Sequence, residues 1–238
     1  MSTVLNEFHQ CTGVRLPEWT ARKSPERVTL IGRLCKLEPL DAAKHSLDLY
    51  TAYVVATDER DWTYMTMGPF RNAEEYRSYV ETAAGGSDPM HFAVIDLVTQ
   101  RAVGTLALMR IDVQNGVIEV GSVMFSPLLK RTPLSTEAQY LLMRYVFEDL
   151  EYRRYEWKCD SYNEPSRRAA TRLGFQFEGA FRQAVVYKGR SRDTAWFSII
   201  DGEWPARRSA FERWLDPGNF DQEGKQVKSL SDFSEAEI

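Results

Sequence analysis

Residues 117–138 read VIEVGSVMFSPLLKRTPLSTEA, and the rest of the chain is arranged around them. Val117, Ile118, Val120, Val123, Met124 and Phe125 form a nearly continuous apolar run of high β propensity, as expected of a strand covered on both faces. A helix begins soon after. Thr132 is a good N-cap, and Pro133 suits the first helical position because the N–H it lacks would have no partner there. Glu137 favours the positive end of the helix dipole. A strand that runs through Lys130 and Arg131 into a helix N-terminus is suited to hold an anion, because unpaired backbone N–H groups and the dipole converge there. Taken alone, these residues also describe a surface turn with two solvated cations.

Working outward, residues 1–26 lack sustained periodicity and read as a lead-in segment that wraps the surface, with Leu16 and Trp19 as anchors. Residues 27–37, RVTLIGRLCKL, predict a strand, and residues 40–55 predict a helix. The loop DWTYMTMGPF (61–70) is rich in large apolar side chains, so Trp62, Tyr64, Met65 and Phe70 either pack on a core or wall a pocket. A second helix is predicted over 72–83, with Glu74 and Glu75 in its first turn and Gly85-Gly86 at its end. Strands follow at 91–97, 102–111 and 117–125, the last two joined by the tight-turn signal Asn115-Gly116. The helix after Pro133 is predicted to run to about residue 150 with Leu134, Ala138, Leu141, Leu142, Tyr145 and Val146 facing the sheet. A strand at 155–160, a short helix capped by Asn163, two strands at 176–187 and 193–200, and a helix at 204–214 complete the pattern. Beyond Pro217 the polar tail is expected to be mobile. The order predicts a mixed, mostly antiparallel α/β (α+β) sheet of about seven strands with helices on both faces and one βαβ crossover. Ligands in such sheets bind at strand carboxyl ends, here beside the basic turn.

The chain has 238 residues, 43% of them hydrophobic, which suffices for a sizeable core. No apolar stretch approaches the roughly 20 residues needed to cross a bilayer. The first residues lack the basic and apolar regions of a secretory signal, so no membrane partner and a cytoplasmic location are expected. The net charge of −4 with scattered Lys and Arg argues against nucleic acid as the main partner. Cys11, Cys35 and Cys159 are odd in number and far apart, and His9, His45 and His91 show no ligand spacing, so neither disulfides nor a metal site is expected.

Four local patterns, together with this element order, resemble the GNAT superfamily of acyl-CoA-dependent N-acetyltransferases, in particular its ribosomal-protein and small-amine branch. They are IEVGSVMFSP (118–127), KRTPLSTEA (130–138), DSYNEPSRRAATRLGFQFEG (160–179) and DTAWFSIIDGEW (193–204). The third is the most specific, with Asn163, Ser166 three residues on, and the Leu173-Gly174-Phe175 run at family spacing. The resemblance covers roughly residues 27–202 and implies an acetyltransferase domain there, flanked by the lead-in at 1–26 and by a helix and tail at 203–238.

What the resemblance implies is transfer of an acetyl group from acetyl-CoA to a primary amine, with a small-molecule acceptor expected and a protein N-terminus or lysine as the main alternative. A non-catalytic acyl-CoA-binding domain is the third reading, and a monomer or homodimer is expected. Lys130, Arg131, Thr132, Leu134, Ser135 and Thr136 would meet the pyrophosphate, Asn163 the pantetheine arm, and Ser166 the thioester sulfur. An N–H near Val123, Met124 or Phe125 would meet the oxyanion where this strand splays from the next. The turn departs from the family pattern, since Thr132 to Ser135 contain none of its glycines and Pro133 lacks an N–H. Ala170 stands where many relatives keep a tyrosine acid. Glu119, a carboxylate inside an apolar strand, reads equally as the base that deprotonates the amine or as half of an ion pair with an arginine. Trp62, Tyr64, Met65 and Phe70 are candidate acceptor walls, with Trp157 and Tyr187 as weaker additions.

Overall fold

The computed structural model describes residues 3–234, and it opens with an antiparallel hairpin that stands apart from the main sheet, β1 (Thr3–Leu5) and β2 (Cys11–Gly13). Sequence patterning did not foresee this hairpin, whose apolar residues Leu5 and Phe8 are exposed. The lead-in segment then runs over the turn at Gln114: Trp19 donates its indole N–H to the Gln114 carbonyl at 2.9 Å, and Arg22 lies 4.2 Å over the Trp19 ring, whereas Leu16, the other expected anchor, is exposed.

The single strand expected at 27–37 is instead two, β3 (Leu30–Ile31) and β4 (Cys35–Pro39), folded back on each other. The main sheet therefore has eight strands rather than about seven. The break has a distant cause. Glu137 places its carboxylate in the turn and accepts the N–H groups of Arg33 (2.9 Å), Leu34 (2.7 Å) and Cys35 (2.8 Å). Gly32 makes that approach possible, since a Cβ there would lie 2.5 Å from the Glu137 oxygen.

α1 (Ala42–Tyr53) and α2 (Ala73–Gly85) are capped by Asp41 and Asn72, whose side chains accept the N–H of Lys44 and Glu75. β5 (Met90–Asp96), β6 (Ala102–Asp112) and β7 (Val117–Phe125) form an antiparallel meander. α3 (Pro133–Arg144) continues through a wider π turn at 145–149, then crosses over to β8 (Arg154–Asp160), which pairs with β7 in the sheet's one parallel ladder. α4 (Glu164–Arg172), β9 (Gln176–Tyr187), β10 (Arg190–Ile200) and α5 (Trp204–Leu215) follow, giving the spatial order β3-β4-β5-β6-β7-β8-β10-β9.

The two faces of the sheet bury different sets. Leu37, Phe92, Leu106, Leu108, Ile118, Val120, Tyr155 and Phe197 meet the α3 and α5 side, where Ala138, Leu141, Leu142 and Phe211 are buried. Ala93, Ile95 and Met124 point to the other face, against Leu49, Tyr76 and Val80 of α1 and α2. Through residue 234 the tail corrects the expectation of mobility, and residues 235–238 lie outside the described residues. It closes through the bridge of Phe220 with Gln226 and a last helix, α6 (Leu230–Ser234), in which Leu230 and Phe233 are buried. Among the described residues, no helix is long and apolar enough to cross a membrane.

Candidate active site

The β7–β8 ladder extends only from Val117 opposite Arg154 to Val120 opposite Trp157. β7 nevertheless runs to Phe125 and β8 to Asp160, so the two strands part and leave facing edges without ladder partners. A bulge on β7 accompanies the divergence. Ser122 and Val123 together oppose the single residue Leu106, between the pairs Ala107–Gly121 and Thr105–Met124, and Ser122 has φ 48°. A bulge bends its strand and increases the local twist, which turns this end of β7 away from β8. Val123, Met124 and Phe125 lie along the freed edge. The Met124 carbonyl is occupied by the Tyr53 hydroxyl at 2.8 Å.

The start of α3 lies just beyond this opening, and its polar groups are only partly committed. The Thr132 side chain accepts the Ser135 N–H at 3.3 Å, while the hydroxyls of Thr132 and Ser135 donate to the carbonyls of Leu129 and Thr132, each at 2.7 Å. Lys130 and Thr132 send their N–H groups to Ser126 and Leu129. Among the described residues, the amides of Arg131 and Leu134 make no hydrogen bond, and the Arg131 side chain is exposed. The buried Thr136 hydroxyl accepts from Arg172 Nη1 at 3.0 Å. Arg172, which sequence reading missed, therefore adds a third cation, after Lys130 and Arg131, within one turn of the helix start. Lys130 is ion-paired with Asp61 of the α1–α2 loop.

Asn163 caps α4 by accepting the Ser166 N–H through Oδ1 at 3.2 Å, and among the described residues its Nδ2 makes no hydrogen bond. Ser166 Oγ accepts the indole N–H of Trp157 at 2.9 Å, with the buried Cys159 thiol beside it. Trp157 itself sits in the main core against Phe175, 6% exposed, and lines neither of the two cavities described below. Its side chain alternates to the α3 face of β8, which spacing alone could not specify.

Glu119 is 4% exposed and lies between Lys158 (2.9 Å) and Arg110 (3.0 Å). Both cations approach outside hydrogen-bonding angles. Lys158 also pairs with Glu156 at 2.7 Å and sits 3.7 Å over the Trp196 ring. Of the two readings open for Glu119, this geometry matches the ion pair, with a lysine as the nearer partner. Burial pushes its carboxyl above the ordinary value, and the two cations offset only part of that rise. A raised value means that the fold favours the protonated form, a contribution complete below about 4.5 and lost as pH rises through the folded value. Glu119→Gln is neutral throughout. Wild type should therefore lose stability relative to this variant from about pH 4.5 upward, in melting curves of both proteins. A difference that instead grew toward acid would contradict the assignment.

The α1–α2 loop and the β9–β10 hairpin close over the outer end of the opening. Lys188 Nζ donates to the Trp62 carbonyl at 2.8 Å, and the Tyr64 hydroxyl to the Tyr162 carbonyl at 2.9 Å. Between them lies a cavity of about 940 Å³ lined by Trp62, Tyr64, Asp160, Tyr162, Tyr187 and Lys188, among others. Trp62 and Phe70 also line a smaller cavity of about 320 Å³ with Tyr53 and Tyr76, whereas Met65 packs against the α1–α2 core. Gly68 (φ 66°) fixes the Trp62 position, since a Cβ there would lie 2.5 Å from its ring. Of the expected walls, Trp62 and Tyr64 face the larger cavity, with Tyr187. Asp160, missed in the sequence as a strand terminus, lines it too.

Residues 36–176, more than half of the chain, match the acetyltransferase (GNAT) domain family. The chain belongs to the GNAT acetyltransferase family. Among solved structures, this acetyltransferase is similar to a GCN5-related N-acetyltransferase from Brucella melitensis, 50% identical with a TM-score of 0.91 over 92% of this chain and 100% of that one. A GNAT-family chain from Chromobacterium violaceum is 38% identical with a TM-score of 0.76, over 82% of this chain and 97% of that one. The uncharacterized N-acetyltransferase p20 of Bacillus licheniformis is 29% identical over 144 residues, 59% of this chain and 80% of that one. YdaF of Bacillus subtilis, provisionally named a ribosomal N-acetyltransferase, is 29% identical over 105 residues, 44% of this chain and 57% of that one.

Proposed function

We propose that this acetyltransferase moves the acetyl group of acetyl-CoA directly to a primary amine on a small molecule, within a ternary complex. The observation that carries the reading is the parting of β7 from β8 after Val120 and Trp157, beside the start of α3. An extended pantetheine arm can hydrogen-bond to a free strand edge as an added strand does, while its diphosphate meets the unbonded amides of Arg131 and Leu134 and the helix dipole. Charge from Lys130 and Arg131 compensates for the donor that Pro133 lacks. The free Nδ2 of Asn163 suits a pantetheine carbonyl. An N–H on the β7 edge near Val123 to Phe125 would stabilise the oxyanion as the amine nitrogen attacks the thioester carbon.

In that step the C–N bond forms, the C–S bond breaks, and the amine gives up a proton. Glu119 is raised above the ordinary carboxylate value, but it is almost fully buried and enclosed by Lys158 and Arg110, so we assign proton removal to water in the cavity. The departing thiolate is protonated through Ser166, whose hydroxyl accepts from Trp157 at Oγ and hands on its hydrogen as it regains one from the water that took the amine's proton. Ser166→Ala should lower kcat about 10- to 100-fold, at the low end of general-acid effects because a thiolate leaves readily. Acetyl-CoA affinity should stay within about twofold, and an unchanged kcat would remove Ser166 from the reaction.

Thiol release from acetyl-CoA, measured across amines, polyamines, aminosugars, amino acids and peptides, tests the acceptor class. A small primary amine should accelerate release more than any peptide. The likeness to YdaF, provisionally named a ribosomal N-acetyltransferase, favours a second reading, acetylation of a protein amine. Release stimulated by peptides alone would establish that reading in place of ours.

A further inference from the structure

Among the described residues, four acidic side chains are buried at 7% exposure or less: Glu119, Glu137, Glu156 and Asp160. Glu119 and Glu156 share Lys158 and have Arg110 and Arg154 as further partners. Glu137 is held by three backbone N–H groups. Asp160 differs from all of them. It accepts the Tyr162 N–H at Oδ1 (2.9 Å) and the Tyr187 hydroxyl at Oδ2 (2.8 Å), and no cation pairs with it among the described residues. The nearby cations are engaged elsewhere or stand off. Lys188 donates to the Trp62 carbonyl, Arg60 pairs with Asp58 at 2.7 Å, Arg192 lies 5.9 Å over the Tyr187 ring, and Arg190 is exposed on the hairpin.

A carboxylate has about four lone-pair sites, and two remain open on Asp160. A buried carboxylate without a countercharge is costly, and a cation in the adjoining cavity would relieve that cost. The cavity is walled by Trp62, Tyr64, Tyr162 and Tyr187, aromatic rings of the kind that attract organic ammonium groups through their π faces. Asp160 also stands on β8 three residues beyond its last pairing with β7 at Trp157, where the two strands have parted.

We infer that Asp160 is the specificity-determining anchor for the acceptor's ammonium group, which makes the acceptor a cationic primary amine held among these aromatic rings. The inference rests on the donor site proposed above. Asp160 binds the protonated amine on arrival, and loss of a proton to water frees the nitrogen for attack on the thioester.

The test titrates phenethylamine, 1,4-diaminobutane and glycinamide into the CoA-bound protein by calorimetry, with 2-phenylethanol as a neutral counterpart of the first. Wild type should bind at least one amine more tightly than the alcohol. Asp160→Asn should weaken that amine about 10- to 100-fold, the range for a hydrogen bond to a charged group, while acetyl-CoA and 2-phenylethanol change less than about twofold. Tyr187→Phe keeps the carboxylate and should keep amine affinity within about threefold, whereas a purely structural role would make both variants equally harmful. The proposal is overturned if no amine binds, if Asp160→Asn leaves the amine unaffected, or if it weakens amine, alcohol and acetyl-CoA alike. Failure of wild type to bind acetyl-CoA at all would instead remove the donor site beneath it.

Discussion

Alanine at both Lys130 and Arg131 is expected to weaken acetyl-CoA binding about 100-fold, roughly the effect of losing two charge-assisted contacts to phosphate. The two residues should contribute unequally. Lys130 is paired with Asp61 and must exchange that carboxylate for phosphate, whereas Arg131 is exposed without such a partner and its own backbone N–H is unbonded. Arg131→Ala alone should therefore account for more of the loss than Lys130→Ala alone. Because these contacts lie at the surface, the gap between wild type and the double variant should narrow as salt is raised. Calorimetric titration at two ionic strengths measures both effects. Affinity that the double variant retains would mean that the basic turn does not hold the diphosphate.

Glu137→Ala is expected to lower stability by about 3 kcal/mol, because the N–H groups of Arg33, Leu34 and Cys35 lose their shared acceptor and each costs about 1 kcal/mol when left unpaired. The cost is moderated by water reaching the outer two amides. Glu137→Gln keeps one acceptor oxygen and should recover part of the loss. Urea unfolding reads the difference as a shifted midpoint at constant slope, and a change below about 0.5 kcal/mol would show that the turn holds its shape unaided. Both predictions concern the same short stretch, where one side of the α3 start would face the proposed diphosphate and the other fastens the sheet edge.

What was legible in the sequence was local. The apolar run of β7, the Thr132-Pro133 helix start, the Asn163 cap and the Asn115-Gly116 turn are each specified within a few residues, and together they fix the crossover beside the opening. What escaped depends on partners far along the chain. The split of β3 from β4 is produced by a carboxylate about a hundred residues away, so an alternating stretch read as one strand. Trp157 and Asp160 lie on opposite faces of β8, and its alternation of apolar and charged residues does not announce that the charged face meets a cavity. Asp160 shows its character only beside Tyr187, across the β9–β10 hairpin. Glu119 could be recognised as an acid in an apolar strand, but its lysine partner is set by the parallel register of β7 with β8. The tail read as polar because Leu230 and Phe233 are sparse, yet two well-placed apolar side chains are enough to dock it.

Hydrogen–deuterium exchange with and without acetyl-CoA tests the placement of the donor most directly. Bound acetyl-CoA should slow exchange along residues 121–125 of β7 and at the amides of Arg131 and Leu134, which are unbonded in the free protein. Protection confined to other parts of the chain, or unchanged exchange in a protein that demonstrably binds acetyl-CoA, would contradict the account.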